Sequence, residues 1–209
     1  MGTRNLTCVV LDGEYKVAQY GQWDGYPQGT GKTILNFLKQ VDLDSFRTHI
    51  AQQRFLTEEE CEQANEEMSN YRKGLSKEDQ VRVREEDEEQ MRRPTPELYE
   101  KYLARPFVHL NRDLGCKILD FVMRYKEPLQ NDIEFAGSSL FCEWAYVIDL
   151  DKDQFEVYRG FNKEPVPQGE RFSTFPGDRE YFPVKLLAIF QLNQLPSEEE
   201  FLEHCSTAN

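Results

Sequence analysis

The sequence has few of the residues that bind metals or form disulfides. Its three histidines lie far apart, and its five cysteines are odd in number, scattered and without a C-x-x-C pair. No spacing typical of a zinc site emerges, and we expect the cysteines to be reduced thiols, as in a cytoplasmic protein. The sequence therefore predicts no metal site, no cofactor and a cytoplasmic location.

The chain also lacks long apolar runs and an excess of positive charge. No run approaches the roughly 20 apolar residues that a membrane-spanning helix needs, and the start of the chain has no secretory signal pattern. The formal net charge of -13 argues against nucleic acid as the main partner, because phosphate binding rests on clustered Lys and Arg. Neither a membrane nor a nucleic acid is expected as a partner.

The first 38 residues carry the clearest pattern in the chain. Two strand-like runs, 5–11 and 14–20, flank Asp12-Gly13, which is the strongest short signal for a β-hairpin because both turn residues take positive φ. Apolar side chains on both faces of the first run indicate a central strand covered on each side. A glycine-rich loop and an apolar stripe at helical spacing follow, which predicts a core helix at about 31–41.

A long charged segment comes next. Thr57 and Glu60 form a capping box, and an unbroken acidic run occupies positions 85–89. Few large apolar residues interrupt the segment, so we expect a helical insertion at 57–104 that buries little of its surface. It is either an acidic docking surface or, as charge runs usually are, a solvated face.

The remainder of the chain completes an α+β pattern. A second core helix is predicted at about 111–126, and the runs 144–150 and 154–160 predict a second hairpin. Together these patterns predict one α+β domain over residues 1–209, with layered antiparallel sheets flanked by helices and with the charged helical insertion.

The run Gly29 to Thr33 is similar to the end of a phosphate-binding P-loop that enters a helix. In such a loop, Lys32 would meet phosphate charge and Thr33 would hold magnesium. The motif needs a glycine five residues before Gly31, where the sequence has Tyr26. The preceding strand is also half of a hairpin, whereas a P-loop follows a strand of a parallel sheet. A P-loop-like nucleotide-binding protein is kept as one alternative function.

Gly2-Thr3, followed by a strand, a tight turn and a second strand, resembles the opening of the N-terminal nucleophile hydrolases, including proteasome-type β subunits. The hairpin that ends in Val157 to Gly160 is similar to a later hairpin of that family. The resemblance implies a sandwich of two antiparallel sheets between helices. It also implies an amide hydrolase whose nucleophile is the Thr3 hydroxyl and whose base is the freed α-amine of the same residue.

The sequence departs from that family at three places. Exposing the Thr3 amine requires cleavage of the Gly2–Thr3 bond. The second strand carries Gln19 and Tyr20 near the position where proteasome-type members have a carboxylate, and Lys32 falls in the loop.

The loop at 20–27 combines aromatic and acidic residues between glycines. Trp23 and Tyr26 can stack on a ring, and Asp24 can hydrogen-bond its edge, with Lys32 and Arg112 as further members of such a site. The alternative is that the two aromatic side chains close the end of the sheet. The leading functional hypothesis is a domain that binds an unidentified small molecule or protein; the Thr3 hydrolase is the first alternative.

Overall fold

The computed structural model describes residues 2–93, 95–178 and 180–206. The chain divides into two compact units. The larger unit is formed by Met1–Phe55 together with Arg112–Asn209, and the smaller unit by Leu56–Asn111.

The regular elements follow the chain in this order. The strands are β1 (Asn5–Leu11), β2 (Glu14–Gly21), β3 (Trp144–Asp149), β4 (Gln154–Arg159) and β5 (Lys185–Gln191). The α-helices are α1 (Lys32–Gln40), α2 (Leu43–Ile50), α3 (Glu58–Gly74), α4 (Lys77–Arg92), α5 (Pro96–Leu103), α6 (Ile118–Val122) and α7 (Glu198–Ser206). The helices α3, α4 and α5 belong to the smaller unit.

Both predicted hairpins are present, and they lie side by side in one sheet. The described strands form a five-stranded sheet in the order β2-β1-β3-β4-β5. The strands β1 and β3 pair in parallel, and every other neighbouring pair is antiparallel. The α+β class is confirmed, but the expectation of stacked antiparallel sheets is not, because the hairpins pair edge to edge instead of packing face to face.

The strand β1 is central and completely buried, as its sequence predicted. All seven of its residues are buried. On one face of the sheet, Leu6 and Cys8 join a core cluster with Phe172. On the other face the rings of Phe155 in β4 and Phe201 in α7 stack with their centroids 5.8 Å apart. Burial of this apolar surface is the main stabilising contribution to the larger unit.

The turns of the two hairpins are joined by one carboxylate. Asp12 and Gly13 adopt φ values of 57° and 73°, as an Asp-Gly turn requires. Their N–H groups donate to the two carboxylate oxygens of Asp151, each at 2.8 Å. Because Asp151 lies in the link between β3 and β4, it fixes the first turn against the second hairpin.

The predicted core helices differ in how well they form. The helix expected at about 31–41 is α1, at Lys32–Gln40. The helix expected at about 111–126 is shorter: a 3-10 turn, Gly115–Lys117, precedes α6, which has five residues. Gly115 has a φ of 51°, a left-handed conformation that interrupts a right-handed helix.

The smaller unit is helical and polar. The capping box at the start of α3 is present, since the Thr57 hydroxyl accepts from the Glu60 N–H and the Glu60 carboxylate accepts from the Thr57 N–H. No residue of α3 is buried. Part of the acidic run is neutralised within the unit, where Arg105 pairs with Glu86 at 2.9 Å and also with Asp87.

Arg171 attaches the irregular segment 161–183 to the sheet. Its guanidinium donates to both carboxylate oxygens of Glu156, at 2.6 and 2.8 Å, and also to Asp149. The Arg171 side chain is only 12% exposed, and the two carboxylates are more deeply buried. Burial alone would raise the pKa of Asp149, but hydrogen bonds from Arg171 and from the Lys152 N–H hold that pKa below its usual value.

We expect the Arg171→Met variant to lose about 3 kcal/mol or more of unfolding free energy at neutral pH, because two buried carboxylates lose the one guanidinium that pairs with both. The pH dependence should follow from the sign of the shift. A carboxyl whose pKa is depressed in the folded state stabilises the fold at neutral pH, and that contribution disappears as the pH falls through the folded-state pKa. Urea unfolding of both proteins at neutral and acidic pH measures the difference, which should shrink in acid.

Arg82→Met is the matched control for this prediction. Arg82 pairs with Asp79 at 2.7 Å on an exposed face of α4, so its removal should cost less than about 1 kcal/mol. Equal losses for the two variants would show that Arg171 contributes no more than a surface ion pair.

Candidate functional site

Trp23 lies on the loop after β2, where its side chain is both exposed and fixed. The side chain is 53% exposed. Its indole Nε1–H donates to a carboxylate oxygen of Asp113 at 2.9 Å. The ring also lies against the backbone of Gly2, where a Cβ atom would come within 2.4 Å of the ring carbon Cε3. The indole is therefore held in one position while half of its surface stays open.

Asn5 connects this loop to the sheet. It is fully buried at the start of β1, and its Nδ2 donates to the carbonyl oxygens of Gly21 and Trp23, at 3.4 and 3.1 Å. Gly21 leaves room for this amide, since a Cβ there would lie 2.6 Å from Asn5 Oδ1. Sequence reasoning missed this role. An asparagine inside an apolar strand-like run, where asparagine is unfavourable, was the available signal.

Asp24 and Gly25, which follow Trp23, complete a tight turn. Asp24 has a φ of 52°, and its carbonyl oxygen accepts from the Thr30 N–H at 2.8 Å. Gly25 donates its N–H to the Thr3 carbonyl at 3.0 Å, and a Cβ at Gly25 would lie 2.7 Å from that oxygen. This close approach requires glycine, so the loop is ordered by its backbone and not only by Trp23.

The segment at 112–113 meets the same loop. The Gln22 N–H donates to the Arg112 carbonyl at 3.2 Å, which places this contact next to the bond between Trp23 and Asp113. The Tyr20 hydroxyl donates to Gln22 Oε1 at 2.7 Å. Partial burial raises the pKa of Tyr20, and the charges of Arg4 and Arg112 oppose that rise. Arg112 is thus brought to the Trp23 loop, and its side chain is exposed.

Tyr26 shares the exposure of Trp23. Its side chain is 52% exposed, while its carbonyl accepts from the N–H groups of Gly29 and Gly31. Two aromatic side chains that were plugging the end of the sheet would be buried. Trp23 and Tyr26 are instead about half exposed.

Lys32 lies elsewhere. Its Nζ pairs with Glu198 of α7 at 2.6 Å. The N–H groups of residues 29–32 donate to carbonyl oxygens of residues 24–29, so they point into the turn and not toward a phosphate site. The P-loop alternative gains no support from this arrangement.

Thr3 is close to the Trp23 loop but is covered. Its side chain is buried, and the residue before it, Gly2, packs against Trp23. The role of Thr3 as a nucleophile stays a prediction, since it requires cleavage before that residue.

A separate groove of about 450 Å³ lies between α1 and α6. It is lined by Thr33, Asn36, Phe37, Gln40, Val41, Cys116, Leu119, Asp120 and Met123. Burial raises the pKa of the Cys116 thiol to about 11, so the thiol is protonated at neutral pH and is a poor nucleophile. Trp23, Asp24 and Tyr26 do not line this groove.

Two further properties concern the described part of the chain. Within it, no group of three or more His, Cys, Asp or Glu side chains is placed to hold a metal ion. No helix there has the length and apolar character needed to cross a bilayer.

Comparisons of the chain with protein-family models, with curated proteins and with solved structures find no significant match. The functional conclusion therefore rests on the chemistry of the Trp23 loop.

We expect Gly2→Ala to displace the Trp23 indole, because the added methyl group would overlap the ring. The bond to Asp113 should then be lost while the fold is kept, since the change lies outside the core. The indole N–H resonance of Trp23 in an NMR spectrum, assigned with Trp23→Phe, reports this displacement. Gly74→Ala is the control, because a Cβ at Gly74 meets no atom within 4 Å; an unmoved indole signal in Gly2→Ala contradicts the described packing.

Proposed function

We propose that this protein is a non-catalytic binding domain that recognises another protein through the Trp23 loop. The observation that carries the proposal is an indole that is half exposed and yet held by a hydrogen bond and by backbone packing. Tryptophan dominates the energetics of many protein interfaces. A side chain already fixed in the free protein loses little conformational entropy on binding, so more of its contact energy contributes to affinity.

A protein partner is favoured over a small molecule by the shape of the site. Small ligands bind in concave pockets that cover most of their surface, but Trp23 and Tyr26 lie outside the groove between α1 and α6. An open aromatic surface instead fits the contact area of a partner protein.

Charge supports a partner with basic residues opposite the loop. Asp24 and Asp113 are exposed beside Trp23, and the whole chain carries a formal charge of -13. A Lys or Arg side chain of the partner can stack on the indole and lie near these carboxylates. Arg112 at the margin of the surface would contact an acidic or polar group of the same partner.

A cytoplasmic location is a further part of this proposal. The five cysteines are free thiols, which supports a cytoplasmic location.

The alternative is a fold layered as in the N-terminal nucleophile hydrolases, with Thr3 as the nucleophile of an amide hydrolase. Mass spectrometry of the purified protein tests that alternative, because a chain that keeps Gly2 has no free Thr3 amine.

We expect Trp23→Ala to weaken partner binding at least about 30-fold, the effect of a strong interface anchor, with little change in melting temperature. Proteins that are cross-linked to the wild type are identified first, without reference to the variant. Titration of the purified partner then measures the affinity. The affinity should fall as salt rises, because opposite charges are screened.

Tyr71→Ala is the control for this experiment. Tyr71 is 40% exposed in the smaller unit, so it tests whether any exposed aromatic side chain has the same effect. Equal binding by wild type and Trp23→Ala would refute the proposal. A large drop in melting temperature would show instead that Trp23 supports the fold.

A further inference from the structure

The last strand of the sheet, β5, has an open edge. The strand order ends at β5, whose other side pairs with β4. Within the part of the chain that the structure describes, the outer edge of β5 forms no backbone hydrogen bond. From Leu186 to Gln191 the strand also carries no charged residue.

The opposite edge of the same sheet is protected. Near its end, β2 is covered by a bridge between Ala18 and Asn131 and by a hydrogen bond from the Asp132 N–H to the Ala18 carbonyl. Near its start it carries the ion pair between Glu14 and Lys16. Cover and charge are the usual means by which proteins prevent strand edges from pairing with other chains.

On β5 such protection is confined to the first half of the strand. Lys185 pairs with Glu164, and the register with β4 shifts between Val157 and Tyr158, a bulge that disturbs regular pairing. The second half, residues 188–191, pairs regularly with β4 and carries no charge, and three of its four residues are apolar. Ile189 within it is 46% exposed.

We infer that this edge binds a second copy of the chain. Residues 188–191 of the two copies would run antiparallel across a twofold axis, so that one sheet continues through both molecules. A neutral strand suits this arrangement, because pairing with itself places no like charges opposite each other. Residues 188–191 carry no acidic side chain that could pair with a basic partner.

This inference is independent of the proposed function. The Trp23 loop follows β2, at the other end of the strand order. Both surfaces can therefore be occupied at once, and failure of either proposal leaves the other intact.

Sedimentation equilibrium of the full chain should show a monomer–dimer equilibrium. We expect Ile189→Lys to weaken the dimer at least about tenfold, because a charge near the axis faces its own copy. Val81→Lys is the matched control, since Val81 is 43% exposed in α4, and this variant should keep the dimer. Raising the salt concentration from about 0.05 M to about 0.5 M should strengthen association, because the net charges of the two copies repel.

Hydrogen exchange of the wild type at low and high protein concentration locates the contact without any variant. Amides of residues 186–191 should become more protected as the dimer forms. A monomer at all concentrations, a dimer that leaves these amides unprotected, or a dimer unaffected by Ile189→Lys would each overturn the inference. So would pairing of β5 with an added basic peptide in preference to a second copy.

Discussion

The parallel pairing of β1 with β3 is the interaction on which the rest of the larger unit depends. It aligns Asn5 with Trp144 and Cys8 with Val147, and it joins two hairpins from distant parts of the sequence into one sheet. Parallel neighbours require a long crossover connection, which here contains six of the helices described above. A slip of one residue would turn Leu6 and Cys8 out of the core and would move Asn5 away from the loop that it holds.

The candidate site takes its rigidity from the same pairing. Asn5 belongs to β1, so the carbonyl of Trp23 is bonded to a residue whose own position is fixed by two neighbouring strands. Functional loops are commonly held in this way by a rigid scaffold. Packing against Gly2 and the hydrogen bond to Asp113 then orient the indole ring. The result is an exposed side chain that is hydrogen-bonded to Asp113 and packed against Gly2, which is why we propose a function for it.

Local features of the fold were readable from the sequence, and contacts between distant segments were not. The Asp12-Gly13 turn and the capping box at Thr57 depend on neighbouring residues, and both formed as expected. The pairing of β1 with β3 and the bond from Trp23 to Asp113 join residues far apart in sequence, where periodicity carries no information on register. The positive φ of Gly115 is not predictable in the same way, because a glycine in a sequence does not by itself indicate its backbone conformation.

The carboxylate of Asp151 has a consequence for how the protein is made. It closes the first turn of the chain, at Asp12 and Gly13, but it is synthesised only after about 140 further residues have been added, the separation of the bonded pair. The turn between β1 and β2 can therefore form its full set of hydrogen bonds only after the last third of the chain has begun to be synthesised. Such a non-local topology slows folding and leaves unpaired strand edges exposed until the second hairpin has been made.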